Sequence, residues 1–426
     1  MQNGGVVMKK QPQVSVAYCF QKKGVQIAYY HEEMDEPKLI DDGYPIPDGL
    51  IPTAMCRLYE NGEWMIGHSA VENGSAKKGF LVPDVLSAYR KKRPLVVDGD
   101  TYSAEELLLL FLQKSIILVE EQCPLERITD FEFTFPEVDR ELVEGFRNVF
   151  RQLVPDGRRL YIQDFEESFY DFVMHQKRDL RGNEVVYFAA GEGRLQAWTL
   201  RQDGSVYGQA RVLERTEFPD FQFQTQDQAL DEAFAQLAER FFGKRLISAV
   251  FLSGREFEGT WMNRSLKVLC RGRRVFGVEH IEVKGACYRA FRKQEGHGDK
   301  RVYYLGKNQI VNNIGLYVLS GTGQEYCRML SAGTDWYDAA ESAVFLVDDC
   351  EQLTFLVDDV RDEKKSAKKT VSLQWLPERP NLATKIAVTL KYHNVNRCEV
   401  TVTDLGLGEL YPSSKKSVTE WLTEES

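Results

Sequence analysis

YFAAGEGRLQAW, residues 187–198, reads as a strand, a turn of small residues and a second strand. Ala190-Gly191-Glu192-Gly193 is open to two readings: a loop whose amides cradle a phosphate, or a tight hairpin. Glycine reaches positive φ and lets the backbone approach a ligand, so successive N–H groups can converge on an anion. Taken alone, the hairpin is the favoured reading, because turns with glycine far outnumber phosphate loops. The surrounding order of elements has to decide.

Upstream, VSVAYCF (14–20) and VQIAYY (25–30) are strand candidates joined by Gln21-Lys22-Lys23-Gly24, a hairpin by length and by its glycine. MCRLYENGEWMIG holds two more short strands around Asn61-Gly62. From Ser103 the period changes. SAEELLLLFLQKSIILVEE carries a Ser cap, acids in its first turn and a dense apolar face, which predicts a helix. FEFTF (131–135) is again a strand, DRELVEGFRNVFRQL an amphipathic helix with Leu142, Phe146, Val149 and Phe150 on one side, and ESFYDFVMHQ a shorter helix. After the glycine turn come a helix over 227–243 and the apolar run ISAVFLSG (247–254), a buried strand. Past Tyr304, IGLYVL, AVFLV, LTFLV, TVSLQWL, KIAVTLKY and CEVTVTDL recur at short intervals, which predicts an all-β sandwich, with a helix only at the terminal SVTEWL. The polar stretch RKQEGHGDKR (292–301) reads as the linker between the two regions, and RDEKKSAKKT (361–370) as a solvated loop.

The chain of 426 residues is long enough for two or three domains with sizeable cores. Its formal charge of −10 argues against a general nucleic-acid binder, which needs a basic footprint. Eight cysteines, at 19, 56, 123, 270, 287, 327, 350 and 398, form no CxxC pair and no zinc-ligand spacing, and so read as reduced thiols. MQNGGVVMKKQPQ lacks a signal-peptide core and no apolar run is long enough to span a bilayer, so a cytoplasmic protein with no membrane partner is expected. The histidines, His68 and His280 among them, are dispersed and give no triad with a Ser or Cys nucleophile.

The order hairpin, helix, strand, helix, glycine hairpin, helix, buried strand with Ser-Gly, then sandwich resembles DnaK-like chaperones of the actin-like ATPase superfamily. IPTAMCRLYENGEWMIGHSA (51–70) resembles the chaperone segment in which a proline-led strand precedes a hairpin, and TYSAEELLLLFLQKSI the helix after it. VFLSGREF is similar to the adenosine motif, KGACYRAF to the closing small-residue helix, and KIAVTLKYHNVNRCEVTVTDLGLGEL to the last strands of the substrate-binding sandwich. FEGTWMNRSLKVLCRGRRVF (257–276) resembles an actin-like family of Firmicutes. The resemblance implies an α/β actin-like (ribonuclease H-like) two-lobed domain over 1–299 and an all-β sandwich over 300–426. It also implies ATP or ADP as cofactor, with Gly191, Gly193, Ser253 and Gly254 as the cofactor-binding positions.

The chain departs from that pattern where the chemistry lies. The first phosphate hairpin normally carries an Asp that orients metal-bound water; that place falls on Cys19, with Phe20 beside it. The Asp of the second loop falls on Ala189, and Glu192 interrupts the glycines. Neither thiol nor methyl replaces a hard oxygen ligand, so Mg²⁺ is not expected. Arg255 and Glu256 follow Gly254 where small or acidic residues are usual. Gln163 and Glu167 stand where the interdomain helix begins and a Gln or Glu can position water, and Asp164, Glu167 and Glu192 are the carboxylates near the cleft; the simpler reading is a helix start with acids at its positive end. Trp261 reads as a core anchor rather than an adenine stacker.

No catalytic or metal-ligating residue is therefore assigned. Arg271, Arg273 and Arg274 form the densest basic cluster and are the candidate contact surface for a protein partner, an intact relative being the natural one; a solvated loop is the competing reading. The sandwich is the other candidate surface. IGLYVL and AVFLVDD either line a groove for extended peptide or form the sandwich's own inner faces.

Overall fold

The computed structural model describes residues 12–44, 49–154, 158–191, 193–203, 209–223, 226–292, 296–297, 300–321 and 323–423. The chain divides into two compact units, 1–199 with 215–293, and 200–214 with 294–426.

The first unit holds a five-stranded sheet and, from a seven-stranded one, five strands in the same order. In the first, β1 (Val14–Gln21), β2 (Gly24–His31), β3 (Lys38–Ile40), β4 (Ile128–Phe135) and β5 (Arg159–Asp164) run β3-β2-β1-β4-β5. β1 pairs antiparallel with β2 and parallel with β4, which pairs parallel with β5. In the second, β6 (Glu184–Gly191), β7 (Arg194–Asp203), β8 (Gln209–Phe218), β9 (Ile247–Ser253) and β10 (Arg274–Gly277) run β8-β7-β6-β9-β10, with β6 parallel to β9 and β9 to β10. The outer parts of β7 and β8 fall in the second unit.

Alternation puts one face of each sheet against helices. Phe20, Phe131, Phe133 and Phe135 are at most 1% exposed and meet Phe146 and Phe150 of α2 (Arg140–Leu153) edge-on, while Phe20 stacks on Phe135. α1 (Ala104–Glu120) starts at the expected capping box of Ser103 and Glu106 and buries Leu107, Leu108, Phe111 and Leu112. In the second sheet Val186, Phe188, Val250 and Leu252 pack on α4 (Gln228–Phe242) and α5 (Asn263–Leu269). The opposite faces meet α3 (Phe165–His175) and α6 (Ile281–Tyr288), whose crossing is close: a Cβ on Gly285 would lie 1.9 Å from the Ser168 carbonyl oxygen.

In the second unit, β11 (Asn312–Ser320), β12 (Gly323–Leu330), β13 (Ala340–Val347), β14 (Gln352–Asp359), β15 (Ala367–Ser372), β16 (Thr384–Asn394), β17 (Arg397–Leu407), β18 (Tyr411–Pro412) and β19 (Ser417–Trp421) form two sheets. Their orders are β12-β11-β14-β15 and β13-β16-β17-β18, with β19 also on β17. One core joins them, with Ile314, Leu316, Phe355 and Val357 from one side and Ile386, Val388, Leu390, Val400 and Val402 from the other.

Three local expectations fail. SVTEWL is strand β19, paired antiparallel with β17, because Thr401 and Thr419 sit side by side on one face. The second half of RDEKKSAKKT is strand β15: Val371 is buried while Lys368 and Lys369 face out along a sheet edge, where charge discourages pairing with another chain. The linker stretch 292–301 is described in part: Gly296–His297 pairs antiparallel with the start of the strand Lys300–Leu305, which runs parallel to β8, so strand replaces the expected linker there, and 293–295 and 298–299 lie outside the described residues.

Candidate functional site

Register places the two hairpins in equivalent settings. Cys19 stands two residues before the end of β1 and beside Thr134 of β4; Ala189 stands two residues before the end of β6 and beside Ser253 of β9. Cys19 is fully buried, and burial, with the Glu282 carboxyl nearby, pushes its thiol well above the usual range. Phe20, beside it, is a core ring.

Gly191 faces open space, and Gly193 takes φ +74° in the turn. The Gly193 N–H points at the Glu256 carboxylate, 3.4 Å away, so the chain's own acid stands at a loop amide. Glu192 is outside the described residues. Gly254 has φ +120°, and a Cβ there would come within 2.1 Å of the Ala190 carbonyl oxygen, so it lets β9 end against the glycine loop. Ser253 hydrogen bonds Tyr187, whose hydroxyl donates to Glu282 Oε1 at 3.1 Å. Burial raises the Glu282 carboxyl above its usual range. From the first hairpin, Gln21 Nε2 donates to Gln26 Oε1 (3.1 Å), and Gln26 Nε2 lies 2.8 Å from His280 Nδ1. His280 has φ +60° and precedes α6. Thus α6 and the His280 that precedes it carry polar links to both hairpin-bearing sheets, Ser15 Oγ of β1 also donating to the Cys287 carbonyl at 2.8 Å.

The start of α3 is committed to structure. Asp164 caps it, accepting from the Glu167 N–H at 2.7 Å. Gln163 donates to Ser168 Oγ, which also meets Thr134 Oγ1. Glu167, 3% exposed, is paired with Arg289 and Arg292, and Arg292 also grips Asp171. These arginines escaped the sequence reading, since nothing in KGACYRAFR announces that they turn back onto α3. Beneath them lies Glu132 on β4, 0% exposed, with neither carboxyl oxygen hydrogen bonded. Burial pushes its pKa well above the carboxylate range, opposed by Arg289.

The basic cluster divides by role. Arg273 stacks on Phe242 and donates to the Val268 and Leu269 carbonyls at the end of α5. Arg274 pairs with Asp179 at 3.0 Å, and Arg271 is exposed. Trp261 is a core residue against Phe234, its Nε1–H donating to the Glu256 carbonyl. All eight cysteines are unpaired. Among the described residues no group of three or more His, Cys, Asp or Glu could hold a metal ion, and no helix is long and apolar enough to cross a membrane.

With this geometry in place the comparison with known families is specific. A family model, described as the C-terminal part of a family of unknown function (DUF5716), matches residues 48–307. The chain belongs to this DUF5716 family. A domain of unknown function (DUF8552) matches 309–423, the region of the two packed sheets. No curated protein matches the chain. The DUF5716 match takes in β4, β5 and the whole second sheet, and begins after the β1–β2 hairpin.

Proposed function

We propose that the chain is a degenerate actin-like, DnaK-like protein, a non-catalytic or weakly nucleotide-binding scaffold for a protein partner. The fold part of this reading draws on the twice-used strand order with an antiparallel hairpin at its centre and two helices crossing between the sheets. The functional part rests on one observation: Cys19 and Ala189 occupy matching places where phosphoryl-transfer chemistry needs carboxylates. A neutral, buried thiol and a methyl group do not fit Mg²⁺. Glu256 and Glu282 add negative charge where a phosphate would arrive, and Glu167 is held by two arginines. ATP or ADP held without metal is the most that this cleft accommodates.

A scaffold persists through its surfaces. Arg271 and Arg274 contrast with an acidic chain and suit an acidic partner face. Affinity capture with wild type and with Arg271→Ala/Arg274→Ala tests this; Arg273 is spared because it closes α5. Partners held by wild type and lost by the variant support the reading, and an identical set removes the cluster from it. A second reading, peptide binding on the sandwich, is favoured by the outward exposure of Tyr317, Leu319, Val344 and Leu346 on β11 and β13. Capture lost on Val344→Ser/Leu346→Ser, with the arginines intact, would select it.

A further inference from the structure

At the end of the first sheet remote from the β1–β2 turn, Tyr29, His31 and Glu33 at the end of β2 face the segment after α1, Gln122, Cys123 and Arg127, across a cavity of 230 Å³. A cavity of about 150 Å³ already admits a benzene-sized molecule, so this one has room for a small metabolite. Its lining mixes these polar side chains with Pro12, Val14 and Pro124. His31 Nδ1 is buried without a hydrogen-bond partner. Glu33 and Arg127 carry opposite charges into one cavity yet form no ion pair with each other or with another described residue. Gln122 is likewise uncommitted. An acceptor carboxylate and a donor guanidinium separated by an open space suit one molecule bearing both complementary charges.

We propose that this cavity binds a small zwitterion of amino-acid size, its carboxylate on Arg127 and its ammonium between Glu33 and His31 Nδ1. Arg127 supplies a planar fork that matches a carboxylate bidentately. His31 accepts at the orphan nitrogen, and Gln122 takes either end. Cavity volume limits the side chain, so small and medium residues fit. The site lies away from the degenerate cleft and does not depend on how that cleft is read.

Thermal melting of the full chain with each standard amino acid, with acetate and with methylammonium tests the proposal. At least one amino acid should raise the melting temperature saturably, and neither half-molecule should do so. Arg127→Ala and Glu33→Gln, both at exposed positions, should each weaken binding about tenfold or more, a loss read as the shift in half-saturating concentration. Three results would overturn it: no binding of any amino acid by either melting or ligand-observed NMR, an equal shift with acetate alone, or unchanged affinity in both variants. Ligand-observed NMR on the same samples detects binding that leaves stability unmoved.

Discussion

The two sheets of the first unit share a strand order and differ in chemistry on the faces that meet α3 and α6. In the first sheet the rows across the strands read Ser15 with Asp130, Ala17 with Glu132 and Tyr161, and Cys19 with Thr134 and Gln163. In the second they read Val185 with Ala249, Tyr187 with Phe251 and Phe276, and Ala189 with Ser253. One inner face is polar and carries two buried acids, Asp130 held by Arg159 and Glu132 with no hydrogen-bond partner; the other is aromatic and packs against Phe169 and Phe172 of α3. The outer faces are alike, phenylalanine and aliphatic side chains against helices. Topology therefore follows from the outer faces and from strand pairing, and the inner faces were free to diverge.

Phe133→Ala and Phe188→Ala test the likeness. Each should cost about 3–5 kcal/mol in denaturant unfolding, since both rings are buried against helices. A large inequality would mean that one sheet does not depend on its outer face. Arg292→Ala strikes the clamp on α3, leaving Asp171 and Glu167 short of a cation, with an expected loss of about 3 kcal/mol. Gly285→Ala should cost about 1–3 kcal/mol because the added methyl meets the Ser168 carbonyl where α3 and α6 cross. Gly191→Ala, in open space, should stay within about 0.5 kcal/mol of wild type.

Much of this was legible in the sequence, and the exceptions have physical causes. The hairpins, the capped helix at Ser103 and the strands FEFTF and ISAVFLS follow from local period and turn residues. SVTEWL failed because a six-residue segment satisfies both periods, and pairing with β17 settles it. The strand over 209–218 was not read, since QARVLERTEF alternates with charges that suit a loop as well. At the site, the resemblance singled out Cys19 and Ala189, and strand register puts the two at matching places near the ends of β1 and β6. The Arg289 and Arg292 clamp was not, because it joins residues more than a hundred positions apart.

The smallest effect is one of pH. Glu132 has its folded pKa raised above the ordinary carboxylate value of 4.5 by burial, so the folded state holds a proton that the unfolded chain releases. Its contribution is intact below that value and is lost as pH rises toward the folded pKa. Glu132→Gln should therefore melt higher than wild type at pH 8, with the gap closing toward pH 4.5. A constant gap would assign the effect to packing. Asp404 in the second unit runs the other way: its Arg379 partner and amide donors hold its carboxyl below the usual range, so its contribution is lost as pH falls below 3.8.

The divergence of the inner faces has its sharpest consequence at the hairpins, and melting of the full chain with and without Mg-ATP measures it most directly. The account predicts no saturable Mg-dependent shift, because neither Cys19 nor Ala189 can organise the metal's water. Stabilisation of about 2.7 kcal/mol at a hundredfold excess over the dissociation constant, dependent on Mg²⁺ and accompanied by phosphate release that Glu167→Ala abolishes, would contradict it.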